Sequence, residues 1–268
     1  MSFQPVLEFA GLSDTGLVRA QNEDAIEICA ESGFAVLADG MGGYNAGEVA
    51  SKMCVELISQ HLQKKQKSTW LPVFTRHISI GVKWLTDAIT LANTKVLAAA
   101  HEHEEYLGMG TTAVVALSHQ DKLLIAHVGD SRAYRFRDDE LTLMTRDHSV
   151  LQAQIDAGLI SQKNAQFSPI KNLITRAVGA QESIEIEIHE HQMEEGDLYL
   201  LCSDGLTDML NHDEIHHILH QYSGQLHVCC QALIDHANNF GGRDNISVVL
   251  CKVAELHQRS LIENIFSS

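Results

Sequence analysis

An α+β fold, an antiparallel sheet sandwich with helices laid against it, is what this 268-residue sequence predicts. Between Gly108 and Met144 short apolar runs follow one another across tight turns, the pattern of consecutive antiparallel strands. Two longer stretches, 47–63 and 76–105, instead repeat apolar residues at steps of three and four, as an antiparallel helical pair on a sheet would. A third observation is chemical: apolar strands keep ending near glycine and an aspartate.

Taken in order, residues 6–12 and 25–30 read as short strands joined by a polar connector from Ser13 to Asp24. Arg19 in that connector offers a planar fork suited to a phosphate, and Glu23 and Asp24 offer acceptors to metal-held waters; a solvated surface loop is the plainer alternative. Phe34 to Leu37 reads as a buried strand that runs into Ala38-Asp39-Gly40-Met41-Gly42-Gly43. Glycine allows close approach of the backbone to a ligand, so this loop can present Asp39 and a peptide oxygen to a hard cation, although a simple Gly-rich turn has the same composition. In the first helix Ala50, Met53, Cys54, Leu57, Ile58 and Leu62 share a face, and Lys64, Lys65 and Lys67 suit its C-terminus. The second ends in His101-Glu102-His103-Glu104-Glu105, where helical geometry sends the two histidines about 200° apart and so favours a solvated face over a ligand set.

Strands follow at Ala113 to Leu117, at Leu123 to Val128 leading into Gly129-Asp130, at Ala133 to Arg137 and at Leu141 to Met144. A small helix over 150–157 precedes polar, irregular sequence, so residues 149–171 are expected to form a flap over the sheet edge. Ile184, Ile186 and Ile188 alternate as in a half-exposed strand, and Leu198 to Cys202 runs into Ser203-Asp204-Gly205. Helices over 213–220 and 226–239 come next, with His216, His217 and His220 expected on the surface. Gly241-Gly242-Arg243-Asp244-Asn245 introduces a strand over 246–253, and residues 261–266 have the pattern of an amphipathic cap. No internal repeat or domain boundary interrupts this order, so one domain over 1–255 with a tail over 256–268 is expected.

Composition narrows the function. With 19 basic and 35 acidic residues the formal charge is -16, which disfavours nucleic acid or an anionic membrane as general partner. The N-terminus lacks a basic segment followed by an apolar core, and no run approaches the ~18 apolar residues of a membrane span, so a soluble cytoplasmic protein is expected. Six cysteines without CxxC spacing suit buried thiols better than zinc or disulfides.

Asp39, Asp130, Asp204 and Asp244 are the four carboxylates at strand ends, and a sheet sandwich would gather them at one edge. Crowded carboxylates repel unless cations neutralise them, and oxygen-only donors select Mg²⁺ or Mn²⁺ over Zn²⁺. Two such ions roughly 3.5–4 Å apart activate water for in-line attack on phosphorus.

The stretches TGLVRAQNED, ADGMGGYNAGEVAS, GMGTT, VGDSRAYRFR, TRDHS, LITRAVG, LLCSDGLTDML and GGRDNISVV, in order from residue 15 to residue 249, resemble the PP2C-type, or PPM, serine/threonine protein phosphatases in their bacterial form. That resemblance implies a four-layer αββα sandwich, a central antiparallel β-sandwich flanked by paired helices. It implies that Asp39 bridges two Mn²⁺ or Mg²⁺ ions, that the Gly40 carbonyl is a ligand of one, and that Asp204 and Asp244 hold the other. Asp130 corresponds to the ligand of a third, weaker ion, shared with Asp204. Arg19 is similar to the phosphate-binding arginine, and Glu23 and Asp24 to the pair holding metal-bound waters. Eukaryotic members place a histidine where Met41 stands; methionine cannot donate a proton, which leaves a metal-bound water, at the third site, as the expected acid. The implied activity is hydrolysis of phosphoserine and phosphothreonine on proteins by a metal-bridging hydroxide, opposite a serine/threonine kinase, by a monomer. A non-catalytic metal-binding regulator would need a lost ligand, and a phosphatase of small phosphoesters differs only in substrate.

Overall fold

The computed structural model describes residues 3–43, 46–67, 79–161 and 173–258. Residues 162–171 of the expected flap, the beginning expected for the second helix and the expected cap over 261–266 lie outside the described residues.

Two antiparallel sheets form the centre. One has strands β2 (Asp24–Cys29), β3 (Phe34–Met41), β5 (Ala113–His119), β6 (Lys122–Val128) and β9 (Glu187–Gln192) in that order, with β4 (Gly110–Thr111) paired to the end of β3. The other runs β1 (Phe3–Asp14), β11 (Ile246–Gln258), β10 (Leu198–Cys202), β7 (Arg132–Arg137), β8 (Glu140–Leu143). Because successive side chains of a strand face opposite ways, each strand feeds two cores. From β3, Phe34, Val36 and Ala38 pack against α1 (Ala46–Lys67) and α2 (Ile80–Glu102), whereas Ala35 and Leu37 point between the sheets. From β10, Leu198, Leu200 and Cys202 meet α5 (His212–Tyr222) and α6 (Leu226–Asn239), and Tyr199 and Leu201 complete the inter-sheet core. The result is the four-layer αββα sandwich, with α3 (Val150–Asp156) and the one-turn helix α4 (Asp204–Thr207) at its edge.

Two polar residues of the frame are engaged by hydrogen bonds. Asp197, with 1% exposure, receives both Nε and Nη2 of Arg137, at 2.5 and 2.6 Å, and the Tyr199 hydroxyl at 2.8 Å. Asn211 caps α5 by accepting from the backbone of Asp213 and Glu214, while Glu214 reaches back to the Asn211 N–H.

Some boundaries differ from the expected ones. β1 and β11 extend beyond 6–12 and 246–253 because they pair with each other from Phe3↔Gln258 to Asp14↔Ile246, and the ladder tolerates polar residues on its open face. The last strand therefore continues three residues beyond the expected domain end at 255. Ile184 and Ile186 do pack on the helix-side core with Ile188, but the strand itself starts only at Glu187, opposite His127. All six cysteines are free, and all but Cys29 are buried. Among the described residues no helix is long and apolar enough to cross a membrane.

Candidate active site

Four segments far apart in sequence meet at one end of the sandwich. β3 continues past its ladder with β5, which ends at Leu37↔Val114, and pairs Gly40 and Met41 with β4, so Asp39 lies where two ladders part. Its backbone is fixed on both sides: the Asp39 N–H donates to Thr112 Oγ1 at 2.9 Å, and its carbonyl accepts from Thr112 N and Thr111 Oγ1, each at 2.8 Å. The carboxylate is thereby aimed without being used for support. Gly40 is required here, since a Cβ would stand 2.0 Å from Gly47 O at the start of α1 and 2.7 Å from Glu23 O.

Asp204 opens α4 directly after β10. Asp244 immediately precedes Asn245 at the entry to β11, and its two oxygens accept from Asn245 N at 2.9 Å and from Arg19 Nη2 at 2.7 Å. Asp130 occupies the β6–β7 turn after Gly129, whose φ of +105 is a conformation glycine tolerates. Asp39, Asp130, Asp204 and Asp244 line one cleft together with Arg19, Glu23, Gly40 and Met41. Asp24 lies beneath it, opposite Asp39 in the β2–β3 register, where Ser203 Oγ donates to its Oδ2 at 2.8 Å. Each residue expected from the sequence is thus at this site, with Asp24 below the floor rather than in the cleft.

Sequence reading missed the scaffold. Asn245 accepts the Glu23 N–H and donates to the carbonyls of Thr15 and Gln21, holding the connector that bears Arg19. Thr112 carries Asp39 and shares a hydrogen bond with Ser131 beside Asp130. Asp208, one turn beyond Asp204, adds charge to both Asp130 and Asp204. The signals were present only as polar residues next to motif glycines and aspartates.

The electrostatics follow from crowding. Burial, then repulsion from Asp24, Asp204, Asp130 and Asp244, pushes the Asp39 carboxyl well above the usual range. Burial and the neighbouring aspartates do the same to Asp204. Asp130 and Asp24 are each raised to about 6, with burial the largest cause. Asp204 Oδ1 and Asp24 Oδ1 are buried with no hydrogen-bond partner. Converging carboxylates, orphaned oxygens and a lining without histidine or cysteine among the described residues fit hard divalent cations.

A second cluster, His127, His148 and Glu187, has donor atoms within 4.8 Å of one another, beside the guanidinium of Arg176. His148 Nδ1 accepts the Gly129 N–H at 3.2 Å, and its Nε2 lies 3.3 Å from Glu187 Oε2. His127 Nε2 in turn donates to Arg146 O, and Arg176 Nη1 stands 3.0 Å from His148 Nε2. Both ring nitrogens of His148 are thus engaged, while His127 Nδ1 is buried without a partner among the described residues. The cluster is a brace behind Gly129 and Asp130.

The chain matches a known family and its solved structures over most of its length. The family Protein phosphatase 2C matches residues 18–233. The serine/threonine phosphatase stp of Listeria innocua is 36% identical over 241 residues, covering 89% of this chain and 92% of the relative. The crystal structure of the Mycobacterium tuberculosis serine/threonine phosphatase PstP/Ppp superposes with a TM-score of 0.83 at 34% identity, over 93% of this chain and 100% of that one. A structure of the PstP catalytic domain in complex with two manganese ions gives a TM-score of 0.81 at 34% identity, over 94% of this chain and 100% of that one. With the motifs, the sandwich and the gathered carboxylates in agreement with a match over most of its length, the chain belongs to the protein phosphatase 2C family.

Proposed function

We propose that this protein is a metal-dependent phosphatase that hydrolyses phosphoserine and phosphothreonine on proteins, with Mn²⁺ or Mg²⁺ as its cofactor. The observation that carries the reading is the convergence of Asp39, Asp130, Asp204 and Asp244 with Arg19 on one cleft. The names of the relatives, serine/threonine phosphatases, and the manganese in one of them support the choice of substrate and ion.

Asp39, Asp204, Asp244 and the Gly40 carbonyl would hold the ions, and Asp130 with Asp204 would hold an additional, weaker one. Divalent ions so placed neutralise phosphoryl oxygens and lower the pKa of water. Arg19 is 51% exposed at its side chain and spends Nη2 on Asp244, which leaves its other N–H groups to grip the phosphoryl group and set it in line with the attacking water. Glu23 and the buried Asp24 accept hydrogen bonds from waters around the ions. Met41 lines the cleft and donates nothing, so the leaving alkoxide takes its proton from water, held at the Asp130 side. No side-chain nucleophile is needed and no phosphoenzyme forms.

The enzyme works as a cytoplasmic monomer and a single domain, and reverses the action of a serine/threonine kinase. The substrate class is tested by kcat/KM for phosphoserine and phosphothreonine peptides against small phosphoesters under one metal condition. Peptides are expected to be turned over at least roughly tenfold more efficiently, an added ~1.4 kcal/mol of transition-state binding from the polypeptide. Higher efficiency on small metabolite phosphoesters would transfer the assignment to them.

A further inference from the structure

The connector before Arg19 exposes a surface that catalysis does not use. Leu17 and Val18 are 68% and 67% exposed, and Phe240, at the end of α6, is 55% exposed. Large apolar side chains left in water this openly on a rigid segment call for an explanation, and the segment is rigid. The Leu17 N–H donates to Gly242 O at 2.7 Å, and Asn245 Nδ2 ties down the Thr15 carbonyl. Gly16, at φ +75, is so close to Asp244 that a Cβ would meet Asp244 O at 2.1 Å. A Cβ on Gly242 would lie 2.9 Å from Leu17 Cγ. Residues 15–19 and 240–244 are therefore one strap, and its two strands end in Arg19 and Asp244, which are hydrogen-bonded to each other at the cleft.

We infer that this strap, through Leu17, Val18 and Phe240, is a specificity surface for a large apolar residue flanking the phosphorylated residue of the substrate. The inference rests on the phosphatase reading of the cleft and adds the sequence preference. A peptide whose phosphoryl group is held by Arg19 must leave the cleft across its rim. Extended chain advances ~3.3–3.6 Å per residue, so the first or second residue beside the phosphoamino acid passes over Leu17 and Val18. Charge acts in the same direction. The chain carries a formal charge of -16, which disfavours an acidic flank overall, while an apolar one covers exposed hydrocarbon. The strap is already fixed by its backbone bonds, and little further ordering opposes the contact.

The test compares kcat/KM for three phosphothreonine peptides that differ only in having leucine, serine or glutamate on both sides of the phosphothreonine. p-Nitrophenyl phosphate serves as the substrate without a flank, and the proteins are wild type, Leu17→Ser and Phe240→Ser. Wild type should prefer the leucine peptide roughly tenfold over the others, the discrimination a small apolar contact supplies. Both variants should lose most of that preference with p-nitrophenyl phosphate kinetics unchanged. Equal kcat/KM for the three peptides in wild type, or a preference that survives in both variants, overturns the strap while the phosphatase reading stands. Absence of turnover on every substrate, p-nitrophenyl phosphate included, overturns that reading and the strap with it.

Discussion

Asparagine in place of Asp39 is expected to lower kcat on a phosphothreonine peptide by about 10³-fold or more while leaving the fold intact. The backbone of residue 39 makes the hydrogen bonds to Thr111 and Thr112, and the substitution leaves all of them in place. What changes is one charge at the centre of the carboxylate cluster. A cation that polarises a phosphoryl group contributes several kcal/mol, and each ~1.4 kcal/mol is a factor of ten in rate. Loss of a carboxylate proposed to hold the ions should remove most of that. Stopped turnover with an unchanged circular dichroism spectrum is the expected pair of readings; turnover within about threefold of wild type would show that Asp39 does not hold the reactive centre.

The same substitution should have the opposite effect on the stability of the metal-free protein. A carboxyl whose pKa rises on folding favours the folded chain when protonated. Its contribution is whole below the unfolded value near 3.8 and is lost as pH rises through the folded value, about 6 for Asp24 and Asp130. Asp39 and Asp204 are displaced in the same direction, Asp39 under repulsion from four neighbouring aspartates. Metal-free wild type therefore carries a destabilising term at pH 8 that is absent near pH 4, on the order of a few kcal/mol for such a cluster. Asp39→Asn should raise Tm at pH 8 in chelator and change it little near pH 4. Saturating Mn²⁺ should reverse the order, because an ion at 100 times its Kd adds ~2.7 kcal/mol to the protein that binds it. His127 and His148, whose pKa values are lowered mainly by burial, destabilise the fold as pH falls through about 6.5, so the variant must be compared with wild type at each pH rather than across pH. A variant less stable than wild type at pH 8 without metal would contradict the repulsion.

The aspartates were legible because each combines two signals that conflict in an ordinary core, an apolar strand and a charged residue at its end. Asp39 and Asp130 show this most clearly, and the glycine beside each marks where the backbone must turn or pack closely. The helical pair and the consecutive strands were legible from periodicity alone. The order β1-β11-β10-β7-β8 was not, because it joins the first and last strands of the chain and nothing local records that pairing. The same separation hides the scaffold: Asn245 organises residues 15–23 from more than 220 positions away, and a lone asparagine carries no periodic signal. Glu23 and Asp24, adjacent in sequence, part ways in the fold because Asp24 opens β2 and is buried against Ser203, while Glu23, just before the strand, lines the cleft.

The most direct test of the central claim is phosphate release from a phosphothreonine peptide by wild-type protein stripped of metal and then given Mn²⁺, Mg²⁺ or Ca²⁺ separately. Oxygen-only ligation and a metal-activated water predict no turnover in chelator and saturable recovery with Mn²⁺ or Mg²⁺. Full activity after stripping, or none with any ion on either the peptide or p-nitrophenyl phosphate, would contradict it.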